Sequence, residues 1–529
     1  MKKSLVIDGN NLKAEDVYNV SKNDISVEFP GGDEFKKQIS ASREYLENFI
    51  KKGYPVYGVT TGFGDSCHNQ INHENAEKLQ ESLVNYHGIG IGDNFTEEEG
   101  KAVTLVRLNS NIKGYSGIKS DTVELMREFI NRGITPVIPI LGSVGASGDL
   151  TPLSYLAATL MGKRKVYYKG AVVDVLDAIN AEGLKPVRLQ AKEGLAIMNG
   201  TSVMTALAAM AWVDLDKLAD LSDLITAFTV QIVFGNEIPF REKVSLIKNH
   251  KGQINSAKFI SNAIKGSKRV HKYEELLHKV GAIESRLFKK HEIKIQDRYS
   301  IRCAPQINGV LRDTLTFSKE WIENELNSAN DNPLIDVENS VIYNSGNFYG
   351  GHISLCCDYL RIACANASDL SDKQAELIID GKFNNLTENL APRLSDNSKL
   401  NGLVFGFKAA QISISALRSE IQFLSNPVSI HSSPTESINQ DKVSLGTISA
   451  RKLREQINLL YYQFSIHILA CLQAMDLVGP AEFSPISVNF YNKARKFTSF
   501  VNEDRPLDGE AMSLAEYLKK TSIKDMISE

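Results

Sequence analysis

The sequence predicts a mainly α-helical protein in which a long helical bundle follows a loop-rich N-terminal part. Three stretches contain neither proline nor glycine and place apolar residues three or four positions apart, over residues 201–234, 353–380 and 447–478. At 1.5 Å per residue, each stretch predicts a helix about 40–50 Å long, as in a helical bundle. Earlier in the chain, shorter helical patterns such as residues 34–52 alternate with glycine-rich loops. The segment "KVYYKGAVVDV" at 165–175 predicts a small hairpin.

This change of pattern also predicts the domain organisation. A chain of 529 residues is long enough to form more than one domain. The short helices give way to long ones near Lys192. We therefore expect an N-terminal part over residues 1–192, and a second part over residues 193–529 with the long central bundle and the C-terminal helices.

The charge pattern excludes several classes of partner. The formal net charge is −3, so the chain lacks the basic character that nucleic-acid binding requires. Charged residues interrupt the most apolar stretch, 202–234, which favours a buried helix over a lipid-facing span. These residues are Asp214, Asp216, Lys217, Asp220 and Asp223. The opening "MKKSLVIDGNNL" reaches Asp8 too soon to hold the apolar core of a secretory signal.

Cysteine and histidine usage indicates the compartment and excludes common metal sites. The six cysteines are sparse for this length and form no C-x-x-C pair, which is typical of reduced thiols in a cytoplasmic protein. The ten histidines include no H-E-x-x-H motif. We therefore expect a cytoplasmic location and no metal.

The most unusual stretch is "ILGSVGASGDLTPLSYLA" at 140–157. One interpretation is a turn in which Ser147 or Asp149 caps a helix that starts near Pro152. A phosphate-binding loop is excluded because the pattern G-x-x-x-x-G-K-[ST] is missing. A hydrolase nucleophile elbow is excluded because Asp149 stands where G-x-S-x-G needs its second glycine.

A further interpretation uses the backbone of Ala146, Ser147 and Gly148 as reactive groups. The amide nitrogen of Gly148 attacks the carbonyl carbon of Ala146, and loss of water converts Ser147 to a dehydroalanine. Alanine and glycine allow the backbone atoms to approach, and serine supplies the leaving hydroxyl. The product is an electrophile, a methylidene-imidazolone, that no ordinary side chain provides.

The segment 142–157 resembles the signature of the histidine and aromatic amino-acid ammonia-lyase family, which also contains aminomutases. Five further motifs occur in the family's order, and together they cover about residues 55–450. The resemblance implies a histidine ammonia-lyase-like, mainly α fold. It also implies a 4-methylidene-imidazol-5-one group formed from Ala146, Ser147 and Gly148, with no metal and no diffusible cofactor.

Three of these motifs imply residues for the chemistry. "YGVTTGFG" (57–64) implies Tyr57 as the base, although the ordinary pKa of tyrosine is about 10. "EGLAIMNGTS" (193–202) implies that Asn199 holds substrate and prosthetic group. "QDRYSIRCAPQ" (296–306) supplies Gln296, Tyr299 and Arg302. Arginine offers the planar fork that an α-carboxylate requires, and Tyr299 would stabilise charge on the prosthetic ring.

The remaining motifs imply the walls of the pocket. "NSANDNPLID" (327–336) and "SGNFYGGHI" (345–353) imply Phe348 against the substrate, with Asn330 or Asn332 in support. Tyr349 stands where many relatives have histidine or glutamine. "TESINQDKVSLG" (435–446) and "GFKAAQ" (406–411) complete the set with polar residues near the site. These residues are Asn439, Gln440, Glu436 and Lys408.

The substrate is predicted from the segment "LQESLVNYHGIGIG" (79–92), which places Tyr86 and His87 at the substrate ring. His87 can hydrogen-bond a phenol or an imidazole. The histidine-type pattern "NQED" is missing, and Lys408 and Glu436 match phenylalanine-type members. We therefore expect L-tyrosine or a phenylalanine-like amino acid, with L-histidine as the alternative.

Two other functions stay open. An aromatic 2,3-aminomutase would use the same residues and return ammonia to the β-carbon. An inactive binding or scaffold homologue would need a broken site, whereas every motif residue is present. The family resemblance further implies a homotetramer in which three chains share each active site.

Overall fold

The computed structural model describes residues 3–31, 33–282, 288, 290–291 and 294–529. Its contacts divide the chain into two compact units. The first unit comprises Met1–Val213, Ser318–Asp358 and Pro427–Arg454. The second comprises Asp214–Phe317, Tyr359–Asn426 and Glu455–Glu529. The first unit thus runs past residue 192 and includes two later segments of the chain.

Short helices and small sheets make up most of the first unit. The helices are α1 Ala14–Lys22, α2 Asp33–Lys51, α3 Ala76–Tyr86, α4 Glu97–Asn111, α5 Ser120–Asn131, α6 Leu150–Leu160, α7 Val175–Ala181 and α8 Glu193–Met198. The strands are β1 Ser4–Val6, β2 Ser26–Glu28, β3 Ile91–Asn94, β4 Thr135–Pro136, β5 Pro139–Leu141, β6 Lys165–Tyr168, β7 Ala171–Asp174, β8 Leu334–Asp336 and β9 Val341–Tyr343. Strands β1 and β2 pair in parallel; β3–β5, β4–β6–β7 and β8–β9 pair antiparallel.

The later helices include the longest ones. They are α9 Ser202–Ile232, α10 Glu242–Lys248, α11 Lys251–Ile264, α12 Tyr273–Val280, α13 Tyr299–Arg302, α14 Ala304–Leu326, α15 Gly351–Ile379, α16 Lys408–Phe423, α17 Gly446–Val478, α18 Pro485–Ala494, α19 Asp508–Lys520 and α20 Ile523–Ile527. Helices α9, α14, α15 and α17 each have residues in both units.

The predicted mainly α fold is confirmed. Helices α9, α15 and α17 match the three predicted long helices to within two residues at either end. Helix α2 covers the predicted helix at 34–52, and β6 with β7 forms the predicted hairpin. These elements were predictable because their apolar spacing is local information that tertiary packing reinforces.

Apolar side chains of the long and short helices form the buried core. Most side chains of α9 are buried, as expected for a helix that is apolar on nearly all sides. In the first unit, Leu46 of α2 packs with Val56, Val59 and Ile335.

All six cysteines are free thiols. None of the helices in the described ranges is long and apolar enough to cross a membrane.

A buried histidine in α17 predicts how the stability of the second unit depends on pH. The Nδ1 atom of His467 lies 2.9 Å from the Ser371 hydroxyl, and its Nε2 atom has no hydrogen-bond partner among the described residues. Burial lowers the pKa of His467 to about 3, so the folded protein holds the neutral ring. Its contribution to stability is therefore present above the unfolded pKa of about 6.5 and decreases as the pH falls towards the folded pKa.

We expect the free energy of unfolding to fall by about 2 kcal/mol between pH 6.5 and 5.0 through this residue alone. The measurement is urea unfolding of the wild type and His467→Gln at several pH values. The variant should show the smaller pH dependence, whereas the same change at the exposed His250 should leave the slope as it is. Equal slopes for wild type and His467→Gln would contradict the assignment.

Candidate functional site

The first unit contains a cavity of about 680 Å³ that brings most of the predicted site residues together. Its walls include Tyr57, Tyr86, His87, Ala146, Ser147, Gly148, Asn199, Asn332, Phe348, Tyr349, Glu436, Asn439 and Gln440. These residues come from seven separate segments of the sequence. The cavity is large enough for an amino acid with an aromatic ring.

The glycine-rich loop lies in the wall of this cavity, with its backbone against another segment. Gly148 pairs with Gly200 in a parallel β-bridge and has a φ of +72°. A Cβ atom at position 148 would lie 2.1 Å from the Gly200 carbonyl oxygen, so no larger residue fits there. The same carbonyl accepts the Asp149 N–H at 2.8 Å. The loop therefore needs glycine at 148 for both its conformation and its close packing.

Side-chain amides contact the reactive part of the loop at Ser147. The Asn199 Nδ2 atom donates to the Ser147 carbonyl oxygen at 2.8 Å. The Gln440 Nε2 atom donates to the Ser147 hydroxyl oxygen at 3.3 Å. The Thr435 hydroxyl donates to Gln440 Oε1 at 2.7 Å, which fixes the orientation of that amide. The carbonyl and the hydroxyl of Ser147 thus each have a donor aimed at them.

Asp149 has a different role from the capping interpretation of the sequence. Helix α6 begins at Leu150, but the Asp149 side chain does not cap it. Its carboxylate instead accepts the backbone N–H groups of Val203 and Met204, both at 2.9 Å, and so caps α9. Burial raises the pKa of Asp149 to about 6, while a hydrogen bond from Thr447 opposes that shift. Asp149 therefore ties the loop to the first turn of α9.

Tyr57 also lines the cavity and accepts a hydrogen bond from the backbone. The Gly64 N–H donates to the Tyr57 phenolic oxygen at 2.8 Å. Burial raises the pKa of Tyr57, the Gly64 hydrogen bond lowers it, and the nearby Glu436 carboxylate raises it. Glu436 accepts the Asp65 N–H at 2.9 Å, beside the donor that contacts Tyr57. The same carboxylate accepts Asn439 Nδ2 at 2.9 Å.

His87 follows the last residue of α3, and this position fixes its tautomer. Its Nδ1 atom lies 3.0 Å from the Leu83 carbonyl oxygen, which can only accept. Burial lowers the pKa of His87, so the ring is neutral at pH 7. The proton is therefore on Nδ1, and Nε2 is a hydrogen-bond acceptor. The ring of Tyr86 lies 4.3 Å from that of His87, between centroids.

Four predicted residues belong to the second unit and are not among the residues that line this cavity. Gln296 and Arg302 line a smaller cavity of about 290 Å³ there. Tyr299 is 70% exposed, and the Arg302 guanidinium lies 4.6 Å from its ring centroid. Lys408 is the first residue of α16 and lies 5.6 Å from the Phe405 ring centroid.

Sequence reasoning missed several residues that support the site. The backbone donor Gly64 lies inside the quoted tyrosine motif, and Thr435 precedes Glu436, yet neither position has a local signal for its contact. Asn332 was proposed for support, and its Oδ1 atom accepts the Ser345 N–H at 2.7 Å. Its neighbour Asn330 is buried behind Gly200, where it contacts Arg107.

Comparison with known proteins identifies the family of the chain. The family described as aromatic amino acid lyase matches residues 12–496. The histidine ammonia-lyase of Caldanaerobacter subterraneus subsp. tengcongensis is 34% identical over 527 residues, which are 100% of this chain and 99% of that protein. Among solved structures, the tyrosine aminomutase of Streptomyces globisporus is similar with a TM-score of 0.91 and 32% identity, over 98% of this chain and 97% of the other. The Pantoea agglomerans phenylalanine aminomutase has a TM-score of 0.93 and 30% identity, over 99% and 100%.

The match covers nearly the whole chain, and it includes every segment that lines the cavity. The matched range contains the loop at 146–148, Tyr57 and the amides that contact Ser147. The chain belongs to the aromatic amino acid lyase family and is a carbon–nitrogen lyase.

Proposed function

We propose that this protein is an ammonia-lyase that removes ammonia from L-histidine to give the trans-α,β-unsaturated acid. The histidine ammonia-lyase named above aligns with the chain from end to end, which favours L-histidine over the tyrosine or phenylalanine expected from the motifs. In this reaction the Cα–N bond breaks, a β-proton is removed, and a Cα–Cβ double bond forms.

The geometry of His87 supports the proposed substrate ring, an imidazole. Because Nδ1 is committed to the Leu83 carbonyl, Nε2 presents a lone pair and selects a substrate ring that bears a donor. An imidazole N–H supplies this donor, and so does a phenol O–H. The benzene ring of phenylalanine has no donor and would leave the buried acceptor unpaired.

L-tyrosine is the second candidate, because three observations favour it. Glu436 is in the cavity wall, at an acidic position that phenylalanine-type members share, and the pattern "NQED" is missing. One of the similar structures is named a tyrosine aminomutase. A 2,3-aminomutase would retain the released ammonia and add it to the β-carbon.

The residues around the loop fit the proposed 4-methylidene-imidazol-5-one group. Gly148 has the left-handed backbone and close packing that only glycine allows, and Asn199 already donates to the Ser147 carbonyl oxygen. The Asn199 Oδ1 atom is buried and has no hydrogen-bond partner among the described residues. When formed, the group supplies an electrophilic carbon that activates the substrate amine as a leaving group. No metal or diffusible cofactor is part of this proposal.

The predicted site residues then have the following roles in the reaction. Tyr57 removes the β-proton, and its phenolate is stabilised by the Gly64 N–H. Asn199 and Gln440 hold the atoms derived from Ser147, while Phe348 packs against the substrate ring. We assign binding of the substrate carboxylate to Arg302, aided by Gln296 and Tyr299. Lys408 with Glu436 supplies a supporting charge.

We also propose a homotetramer, in which residues of the second unit of one chain complete the cavity in the first unit of another. Large apolar side chains are exposed on the second-unit helices, as expected for a surface that another chain covers. They include Val310, Ile362, Ile412 and Phe423, which are 41–77% exposed. Tyr299, with 70% exposure, belongs to the same unit.

The substrate proposal is tested with purified enzyme and three separate amino acids, L-histidine, L-tyrosine and L-phenylalanine. We expect L-histidine to give the greatest kcat/KM, with urocanate and ammonia as products. His87→Phe should lower kcat/KM for L-histidine by about 10–100-fold, because the ring N–H loses its acceptor at a cost of about 1–3 kcal/mol. The relative preference for L-phenylalanine should rise.

His87→Gln is the matched control because its carbonyl oxygen keeps an acceptor, and it should lose less than His87→Phe. Coumarate as the main product would assign the enzyme to L-tyrosine. A stable β-amino acid would make it an aminomutase. Cinnamate as the main product would contradict the role of His87.

A further inference from the structure

Arg107 of α4 is a buried charge that the proposed reaction does not use. Its side chain is fully buried, and it makes no ion pair among the residues that the structure describes. Its one short hydrogen bond runs from Nη1 to Asn330 Oδ1 at 2.9 Å. Bonds to Ser202 and Asn111 are long, at 3.5 and 3.4 Å, and Nη2 has no partner within the described chain.

Two other cations with little solvent exposure contact carboxylates directly. Lys192 contacts Asp331 at 2.6 Å, and Arg312 contacts both Asp220 and Asp223, at 2.6 and 2.7 Å. A buried charge without such a partner is unfavourable for folding. Burial lowers the pKa of Arg107 to about 10, while the charges of Asp331 and Asp149 oppose that shift without a direct contact, so the group is still charged at neutral pH.

The position of Arg107 indicates what the charge does. A Cβ atom on Gly200 would lie 2.1 Å from Arg107 Nη1 and 2.2 Å from Asn330 Oδ1, so these groups pack directly against Gly200. On its other side, the Gly200 carbonyl is the group against which Gly148 packs, and it accepts the Asp149 N–H. Asn199, the preceding residue, donates to the Ser147 carbonyl oxygen. Arg107 therefore does not contact the reactive loop itself, but packs against Gly200, which does.

We propose that the charged guanidinium of Arg107 is a positioning group for the formation of the electrophile. It holds Asn199 and Gly200 against residues 146–148 while the ring closes, and so acts through them and not on substrate. This inference rests on the proposed function, since it concerns the same prosthetic group.

The ring closure needs no outside reagent. The Gly148 nitrogen forms a bond to the Ala146 carbonyl carbon, and the carbonyl oxygen leaves as water with the amide hydrogens of Ser147 and Gly148. A second water takes the Ser147 hydroxyl and its Cα hydrogen. The mass falls by two waters, about 36 Da, which an intact-mass measurement resolves without any assay of activity.

The test compares Arg107→Met with Arg312→Met. We expect Arg107→Met to be as stable in urea as the wild type or more so, because an apolar side chain replaces a buried charge that contacts no carboxylate directly. At equal times after synthesis, its fraction of dehydrated chain should be at least about tenfold below that of the wild type. Arg312→Met should show the reverse, full dehydration with a lower urea midpoint, because it leaves Asp223 buried and unpaired.

Arg107→Lys keeps the charge without the planar fork and should be dehydrated more fully than Arg107→Met. Wild-type extents of dehydration in Arg107→Met would overturn the inference, as would failure of that variant to fold or a lysine variant no better than methionine. A wild-type protein without the mass deficit would instead overturn the proposed function itself.

Discussion

Ser147→Ala is expected to lower kcat by more than about a thousandfold while leaving the fold intact, because it removes the group on which the proposed chemistry depends. Alanine has no hydroxyl to lose, so residues 146–148 cannot form the electrophile. The fold should tolerate the change, since within the described residues the Ser147 hydroxyl makes a single long hydrogen bond, with Gln440 at 3.3 Å. Its loss is worth about 1 kcal/mol or less.

Intact mass and kinetics together check this expectation. The wild type should weigh about 36 Da less than its sequence, whereas Ser147→Ala should have its full sequence mass. Ser143→Ala in the same loop is the matched control, and it should retain the mass deficit. Full activity in a wild-type protein of unmodified mass would contradict the entire proposal.

The long helices could be predicted because their information is local. Helix α9 runs from Ser202 to Ile232 with apolar residues on nearly every side, and no proline or glycine interrupts it. Such a segment buries its surface in any compact arrangement, so its length and burial follow from the pattern alone. The division into units did not follow in the same way, because α9 and three other long helices each contribute to both units.

The site likewise has one part that the sequence predicted and one part that it did not. Motif residues such as Tyr57 and Ser147 meet in the cavity as the resemblance implied. The contacts that hold them depend on tertiary geometry. Glu436 reaches the Asp65 N–H from a turn in which it and the next two residues all have positive φ, including the β-branched Ile438. Nothing in the composition of that turn signals such a backbone.

That His87 presents a hydrogen-bond acceptor could, by contrast, be predicted in part from the sequence. Carbonyl groups in the last turn of a helix have no partner within the helix, so a histidine just after it can donate to one of them. Helix α3 ends at Tyr86, and Leu83 lies in its last turn. The helix end is signalled by Gly88, the residue after His87, but nothing in the sequence shows that the His87 ring reaches the Leu83 carbonyl. The substrate expectation therefore relied on motif comparison and favoured tyrosine.

Tyr57→Phe should lower kcat by about 10²–10⁴-fold, which is the usual contribution of a general base. The phenylalanine ring keeps the packing but cannot take the β-proton. The mass deficit should persist, because Tyr57 is not part of the loop at 146–148. A variant with wild-type kcat would show that another group is the base, and an unprocessed mass would show that the tyrosine acts in forming the electrophile.

The pH dependence of the wild type extends this test to Tyr57 itself. The base must be a phenolate, and burial raises the pKa of Tyr57, so kcat/KM should increase with pH on the alkaline side of neutrality. The Glu436 charge raises that pKa further, since a nearby anion disfavours the phenolate. Glu436→Gln removes the charge and keeps an oxygen that can accept the Asp65 N–H, so the rising limb of the profile should move to lower pH. The residual activity of Tyr57→Phe should not show this increase of kcat/KM with pH. If Glu436 acts only by pairing with the substrate amine, Glu436→Gln would raise KM and leave the limb where it is, and the assignment of this carboxylate to Tyr57 would be wrong.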